Sequence, residues 1–216
     1  MKYIFISIIL LMSLGQLNAQ FRFDVFGGIS PQTTPASADL FVNRHLPHEE
    51  FRFNMRKVDP QIFAGIKGHV ELGTPFFAEA GLMYSRRKST YQALYTIIDR
   101  EHPVSSYIMT ETEDMIMLPV NIGVNLGIVD LTSGFRVAQT VGKKTDLDQL
   151  AGFMSDDNTL RLGYQASVGV SIFRSRIGIA YLGNFSRVGS GMSVNNQSLE
   201  LMNVPGQFVL TLQHSL

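Results

Sequence analysis

From Leu160 to Arg187 the chain alternates with a period of two. Leu160, Leu162, Tyr164, Ala166, Val168, Val170 and Ile172 fall on one side, and Arg161, Gly163, Gln165, Ser167, Gly169 and Ser171 on the other. After a polar turn at Arg174-Ser175, the apolar set resumes with Ile177, Ile179, Tyr181, Gly183 and Phe185, opposite Arg176, Gly178, Ala180, Leu182 and Asn184. Successive side chains of a β-strand point to opposite faces, so this stretch predicts a hairpin with one apolar face and one small, polar face. Each strand runs to about ten residues or more, close to the length a tilted strand needs to cross a bilayer. A small, wet face opposite an apolar one fits a cramped polar interior better than a dry core.

The same pattern recurs along the chain. Phe21, Phe23 and Val25 alternate with Arg22 and Asp24 up to Gly27-Gly28. Residues 31–59 carry Pro and charge without sustained periodicity and predict a long loop, with local structure around His45 to Met55. A second strand is expected from Pro60 to Leu72, with Lys67, His69 and Glu71 on its polar face. Gly73-Thr74-Pro75 has the chemistry of a tight turn. A third strand follows from Phe76 to about Lys88, extending towards Tyr95 as a stalk, with Glu79, Gly81 and Ser85 opposite Phe76, Ala78, Ala80, Leu82 and Tyr84. Residues 97–106 predict a second long loop.

The fourth strand spans Tyr107 to Leu126, where Ile116, Leu118, Val120, Ile122 and Val124 oppose Met117, Pro119, Asn121 and Gly123. Pro119 cannot donate to a ladder and predicts a bulge or a local gap in pairing. A very short turn at Gly127 leads to a fifth strand, Ile128 to Val137, with Asp130, Thr132, Gly134 and Arg136 on its polar face. Residues 138–158 predict a third long loop, containing a helical turn or two within Asp146 to Phe153. The Leu160–Arg187 hairpin supplies strands six and seven. A fourth loop, 188–203, precedes a last strand from Val204 to Leu216.

Eight strands therefore alternate with long and short connections. The expected fold is all-β: an eight-stranded antiparallel up-and-down transmembrane β-barrel with four long external loops and three short periplasmic turns. Closure would remove the sheet edges that lipid cannot satisfy. Tyr84, Tyr164, Tyr181 and Phe185 would form an aromatic girdle at the outer interface. A soluble lipocalin-like barrel is the alternative. It would turn its apolar residues inward, and the Gly- and Ser-rich opposite face argues against it.

Composition and the N-terminus refine this reading. The 216 residues contain 18 Lys+Arg and 18 Asp+Glu, so no basic bias points to nucleic acid. Cysteine is absent, which removes disulfides and thiolate metal sites. Lys2, an apolar run from Tyr3 to Leu14, and Leu17-Asn18-Ala19 read as a cleaved signal peptide at residues 1–19, leaving a barrel domain at 20–216. No later apolar run is long enough for a transmembrane helix.

At these residues the chain resembles a known family. The signal ending in LNAQ, the F-x-F-x-V-x-G-G entry strand, the fourth strand with MIMLPVNIGVNLG and the closing strand are similar to the PorT-like family of small bacterial outer-membrane β-barrels. The resemblance covers the whole chain after the signal and implies a location in the bacterial outer membrane. It implies no single activity, although assistance to secretion falls within it. One departure is Leu216, where such barrels usually end in an aromatic residue; Phe208 lies eight positions earlier on the same face.

The candidate chemistry lies inside the expected barrel. Asp24, Lys67, His69, Glu71, Glu79, Arg136 and Arg161 form a proposed polar network of the lumen, with Glu79 and Arg136 at its heart. Eight strands leave an interior that side chains fill, and buried charges must pair, so a plug is expected rather than an ion path. His45-x-x-His48 beside Glu49 and Glu50 reads as solvated loop, and neither a metal site nor a cofactor is expected. His214-Ser215 has no acid at strand spacing and does not make a hydrolase triad. Arg86-Arg87-Lys88 reads as a solvated strand extension. The function expected is a non-enzymatic outer-membrane anchor or surface-interaction protein, its partners being outer-membrane lipid and an envelope protein complex. A small pore is the alternative, and a lipid-modifying enzyme stands behind it.

Overall fold

The computed structural model describes residues 21–32, 41–46, 49–97, 105–149, 153–155, 160–185, 192–194, 197–198 and 206–216. The expected signal peptide at 1–19 and most of the loop at 188–203 lie outside the described residues. The strands, in chain order, are β1 (Phe21–Ser30), β2 (Phe41–Leu46), β3 (Glu49–Val58), β4 (Gln61–Gly73), β5 (Phe76–Ile97), β6 (Ser105–Asn125) and β7 (Val129–Thr145). They continue with β8 (Phe153–Ser155), β9 (Leu160–Ile172), β10 (Ser175–Asn184), β11 (Met192–Val194), β12 (Gln197–Ser198) and β13 (Gln207–Ser215). Among the described residues one 3-10 turn occurs, at Leu147–Gln149.

The main sheet is antiparallel throughout. It runs in the order β2-β3-β5-β4-β1-β13-β10-β9-β7-β6, and β6 pairs back onto β5. With β2 set aside as an outlying strand on β3, nine strands close in a ring. β3 and β4 occupy one place in it. Residues 89–97 of β5 pair with β3 and residues 76–86 with β4. The break between them falls at Asp59-Pro60, because a proline has no N–H to give the ladder. Asp59 N still donates to Lys88 O at 2.8 Å, so the edge of β5 stays covered across the break. Where β1 meets β13, Asp24 to Ile29 pair with Ser215 to Leu210 and join the two ends of the chain.

Burial is inside out compared with a water-soluble sheet. Outward positions carry Ile62, Ile66, Leu82, Leu118, Val120, Ile122, Phe135, Leu162, Val168, Ile179 and Leu210, all exposed. Inward positions carry Asp24, Glu79, Glu111, Glu113, Asn121 and Arg136, all buried. The period-two reading thus assigns the two faces correctly on β4, β6, β7, β9, β10 and β13. At one end of the ring sit the tight turns at 73–76, 126–128 and 173–174; we call this the turn end and the opposite one the loop end. Near the loop end Tyr164, Tyr181, Phe185 and Phe208 form an outward aromatic chain with ring centroids 5.1–6.1 Å apart.

Three expectations need correction. The stretch at 31–59 is not one loop: it contains β2 and β3, and β3 extends the sheet beside the upper half of β5. Its pairing comes from a partner far along the chain, and a shift of register between Met55 and Lys57 breaks the period that would have shown it. The stretch at 138–158 likewise starts as strand. β7 continues to Thr145 against Glu111–Asp114, past a shift at Asp114/Met115 that displaces the alternation. The β9–β10 hairpin turns at Phe173-Arg174, one residue earlier than expected, since Ser175 already pairs with Ile172 and His214. Phe173 adopts φ 55°, the left-handed conformation that two-residue hairpin turns require.

Other expectations match. The stalk on β5 reaches Ile97, which gives a 22-residue strand about 70 Å long. Pro119 coincides with a gap on the β5 side, where pairing skips from Ala80↔Val120 to Met83↔Met117 without a change of register. The helical turn expected within Asp146–Phe153 is the 3-10 turn at Leu147–Gln149, and Phe153 belongs to β8.

Inward glycines make room for large neighbours. A Cβ on Gly163 would lie 2.5 Å from Gly183 O and 2.7 Å from Arg136 Nε. Gly163→Val should therefore cost about 1–3 kcal/mol by overpacking. The check is the denaturant midpoint of the refolded protein; a midpoint equal to the wild type would show that the wall can shift to accept a side chain there.

Candidate functional site

The interior of the ring is the site, and it is layered. At the turn end Glu79 of β5 is a hub. Its carboxylate lies 3.5 Å from Lys67 Nζ, 3.2 Å from Arg176 Nη1 and 3.7 Å from His69 Nδ1. Lys67 and His69 alternate on β4, which lies directly beside β5, so both reach the same neighbour. The His69 distance is too long for a hydrogen bond, and its ring stacks instead on Phe77 at 4.6 Å. Lys67 also sits over the Phe26 ring at 4.7 Å. Arg176 passes on to Asp130 at 3.6 Å, and Ser171 Oγ donates to the same carboxylate at 2.5 Å. Asp24, fully buried, accepts from Gln213 Nε2 at 2.6 Å and faces Arg22 Nε at 3.5 Å. Three carboxylates thus meet three cations, as burial of charge demands.

Above this layer the interior turns apolar. Phe63, Met83, Met115, Met117, Ala138, Leu182 and Val209 form a buried cluster, with Phe26 and Ala180 against it. Methionine is flexible and unbranched and fills irregular gaps well, which suits the narrow space between facing walls. An apolar stopper therefore separates two polar layers.

The second polar layer lies towards the loop end. Arg87 of β5 and Glu113 of β6 are direct cross-strand partners and form a close, buried ion pair. Arg161 of β9 reaches across to the same carboxylate, with Nη2 2.7 Å from Oε1 and Nη1 3.3 Å from Oε2, a two-pronged contact. Further out, Tyr91 donates to Glu111 at 2.9 Å, and Lys143 Nζ lies 3.1 Å from that carboxylate. Arg136 of β7 is different. Its Nη2 donates to Asn184 Oδ1 at 2.7 Å and Gly183 O at 3.3 Å, and Nη1 lies 3.9 Å from Met117 Sδ. Beyond the wall, Asp146 accepts from the Thr110 side chain at 2.6 Å and backbone at 3.1 Å, which holds its carboxyl below the usual aspartate value.

Five of the seven expected network residues lie in these contacts: Asp24, Lys67, His69 and Glu79 in the turn-end layer, and Arg161 in the loop-end layer. The other two differ. Glu71 is exposed at the turn end and joins no ion pair among the described residues. Arg136 is buried but does not meet Glu79; the methionine layer stands between the two levels, so the single heart expected at Glu79 and Arg136 is two separate clusters.

The expectation missed Arg87, Glu111, Glu113, Asp130 and Arg176. Each lies on the polar parity of its strand. Arg87 follows Ser85 by two, and Glu113 and Glu111 precede Met117 by four and six. Of the Arg86-Arg87-Lys88 run, expected to be a solvated strand extension, only Arg86 and Lys88 face out. His45 and Glu49 fall on β2 and β3, while His48 lies outside the described residues. Among the described residues no group of three or more His, Cys, Asp or Glu could hold a metal ion. His214 Nδ1 lies 3.1 Å from Ser175 Oγ, across the strand pair, rather than engaging Ser215.

Neither a scan of protein-family models nor a search of curated proteins finds a match to this chain.

The contrast between two glutamates tests this geometry. Glu79→Gln leaves Lys67 and Arg176 without their shared counter-charge and should destabilise the protein by about 3–5 kcal/mol. Glu71→Gln, at an exposed position, should stay within about 0.5 kcal/mol of wild type. Equilibrium unfolding of the two variants checks both; equal effects would sink the hub assignment.

Proposed function

We propose that this chain is an integral outer-membrane β-barrel that acts as a non-enzymatic membrane anchor or surface-interaction protein. The observation that carries the reading is the inversion of burial: exposed aliphatic and aromatic residues around the outside of a closed ring, with ion pairs inside. Such a wall is stable in hydrocarbon and a liability in water. In this reading there are eight crossings, since β3 and β4 share one place and β3 rises above the bilayer. From Tyr164 to Ile172 on β9 is about 26 Å of strand, comparable with the apolar band of an outer-membrane barrel. The outward aromatic chain then sits at the outer interface. The resemblance to the PorT-like family supports the same compartment, and assistance to secretion would be one use of such an anchor.

No comparable observation favours the pore. The interior holds two interlocked polar layers with an apolar layer between them, and an open path needs water-filled space through all three. Nor does one favour an enzyme: the Ser175–His214 contact has no carboxylate partner among the described residues.

Cell fractionation and gel migration test the proposal together. The protein should partition with the outer membrane and migrate faster unheated than boiled. In planar bilayers it should show no steady conductance. Recovery as a detergent-free soluble monomer would reject the membrane reading, and steady ion current through the wild type would reject the anchor in favour of the pore.

A further inference from the structure

Charge does not balance between the two polar layers. The turn-end layer matches three carboxylates with three cations. Among the described residues the loop-end layer holds Arg87, Arg136, Arg161 and Lys143 against Glu111 and Glu113. Lys143 is taken by Glu111, and Glu113 is shared between Arg87 and Arg161. Arg136, 7% exposed, has neutral acceptors only. Arg87 acts on it as a nearby like charge. A guanidinium does not give up its proton at neutral pH, so this excess cannot be relieved by neutralisation. Burying unbalanced charge is costly unless an opposite charge joins it.

The excess borders a space. A cavity of about 30 Å³ lies at this level, lined by Arg87, Arg136 and Arg161 together with the amides of Gln61, Asn184 and Gln207. Its floor is the methionine layer, and among the described residues no carboxylate lines it. About 10–15 Å³ suffices for one water, so the space holds roughly two to three water-sized groups, the scale of the paired oxygens of a small oxyanion. The Arg87 Nε is buried and has no hydrogen-bond acceptor, which leaves a donor unspent beside the cavity. The six lining polar residues come from β4, β5, β7, β9, β10 and β13, so the closed ring itself assembles the site. Glycine at position 163 gives Arg136 the room to lie against the wall.

We infer that the loop-end half of the lumen binds a small free oxyanion of phosphate or carboxylate type between Arg87, Arg136 and Arg161. Planar guanidinium forks match the paired oxygens of such groups, and the amides supply further donors. Glu113 competes for two of the three forks, which keeps the site from binding so tightly that the anion is permanent. The inference needs the ring and its lining but not the bilayer; loss of the membrane reading through fractionation leaves it standing, and its own failure leaves that reading standing.

Calorimetric titration of the refolded full chain in detergent with inorganic phosphate, and separately with acetate, at constant ionic strength tests it. Saturable binding of at least one is expected. Arg136→Met should weaken it by about ten- to a hundredfold, the usual worth of a charged hydrogen-bonding partner. Arg136→Lys, which keeps the charge and the fold, should weaken it less. Glu113→Gln, which frees two forks, should strengthen it, an effect that mere loss of structure cannot imitate. No saturable binding by the wild type would overturn the inference. So would undiminished binding in a folded Arg136→Met or, should that variant fail to fold, in Arg136→Lys. Binding lost in Arg86→Ala with Lys88→Ala but kept in the Arg136 variants would place the anion on the outer rim and overturn it as well.

Discussion

An exterior that is apolar all the way round forces polar groups to the inside. That constraint governs the rest of this protein. A strand has only two faces, so when Ile62, Val120 and Phe135 take one, the other must carry what remains. The remainder includes full charges in a space narrow enough for side chains from opposite walls to touch. Such charges need opposite numbers, and for most of them the ring supplies one from a neighbouring strand or across the lumen. Glu79 with Lys67, His69 and Arg176, and Glu113 with Arg87 and Arg161, are two places where this is done. Between them the interior switches to methionine, phenylalanine and leucine, because a filled apolar layer avoids the cost of charge altogether. The layering follows from the inversion of the faces.

Much of this was legible in the sequence. Strict alternation from Leu160 to Asn184 assigned inside and outside correctly, and Arg161 could be recognised as needing a carboxylate, which Glu113 supplies. Pro119 announced a gap because its missing N–H is a covalent fact. What escaped notice has a common physical origin. β3 and the last third of β7 lie beside shifts of register, at Met55/Lys57 and Asp114/Met115, and one displaced residue inverts the period on which the reading relies. The Phe173 turn escaped because its left-handed conformation belongs by preference to glycine or asparagine, not to a bulky aromatic.

The interior contacts were harder to read. Parity tells which residues point inward but not their height or their angle around the ring. Asp24, His69, Arg87, Glu113 and Arg136 all share the polar face, yet Arg136 and Glu79 occupy different levels. Height depends on stagger between strands, and stagger depends on turns and shifts that carry weak signals. Charge type misled as well: Arg86, Arg87 and Lys88 look like one solvated run, and the middle residue is the one that turns in.

The ring's closure has an entropic consequence. Apart from β3 on β5, every wall neighbour but one is joined by a hairpin or by a connection short beside the whole chain, so closing those pairs carries a small entropic cost. The exception is the meeting of β1 with β13, where Asp24 and Gln213 bond across 189 positions of chain. That pair closes the longest loop among the described strands, so it carries the largest closure entropy in the wall. Without it β1 and β13 would each keep an open edge, and the closed ring would be a two-ended sheet.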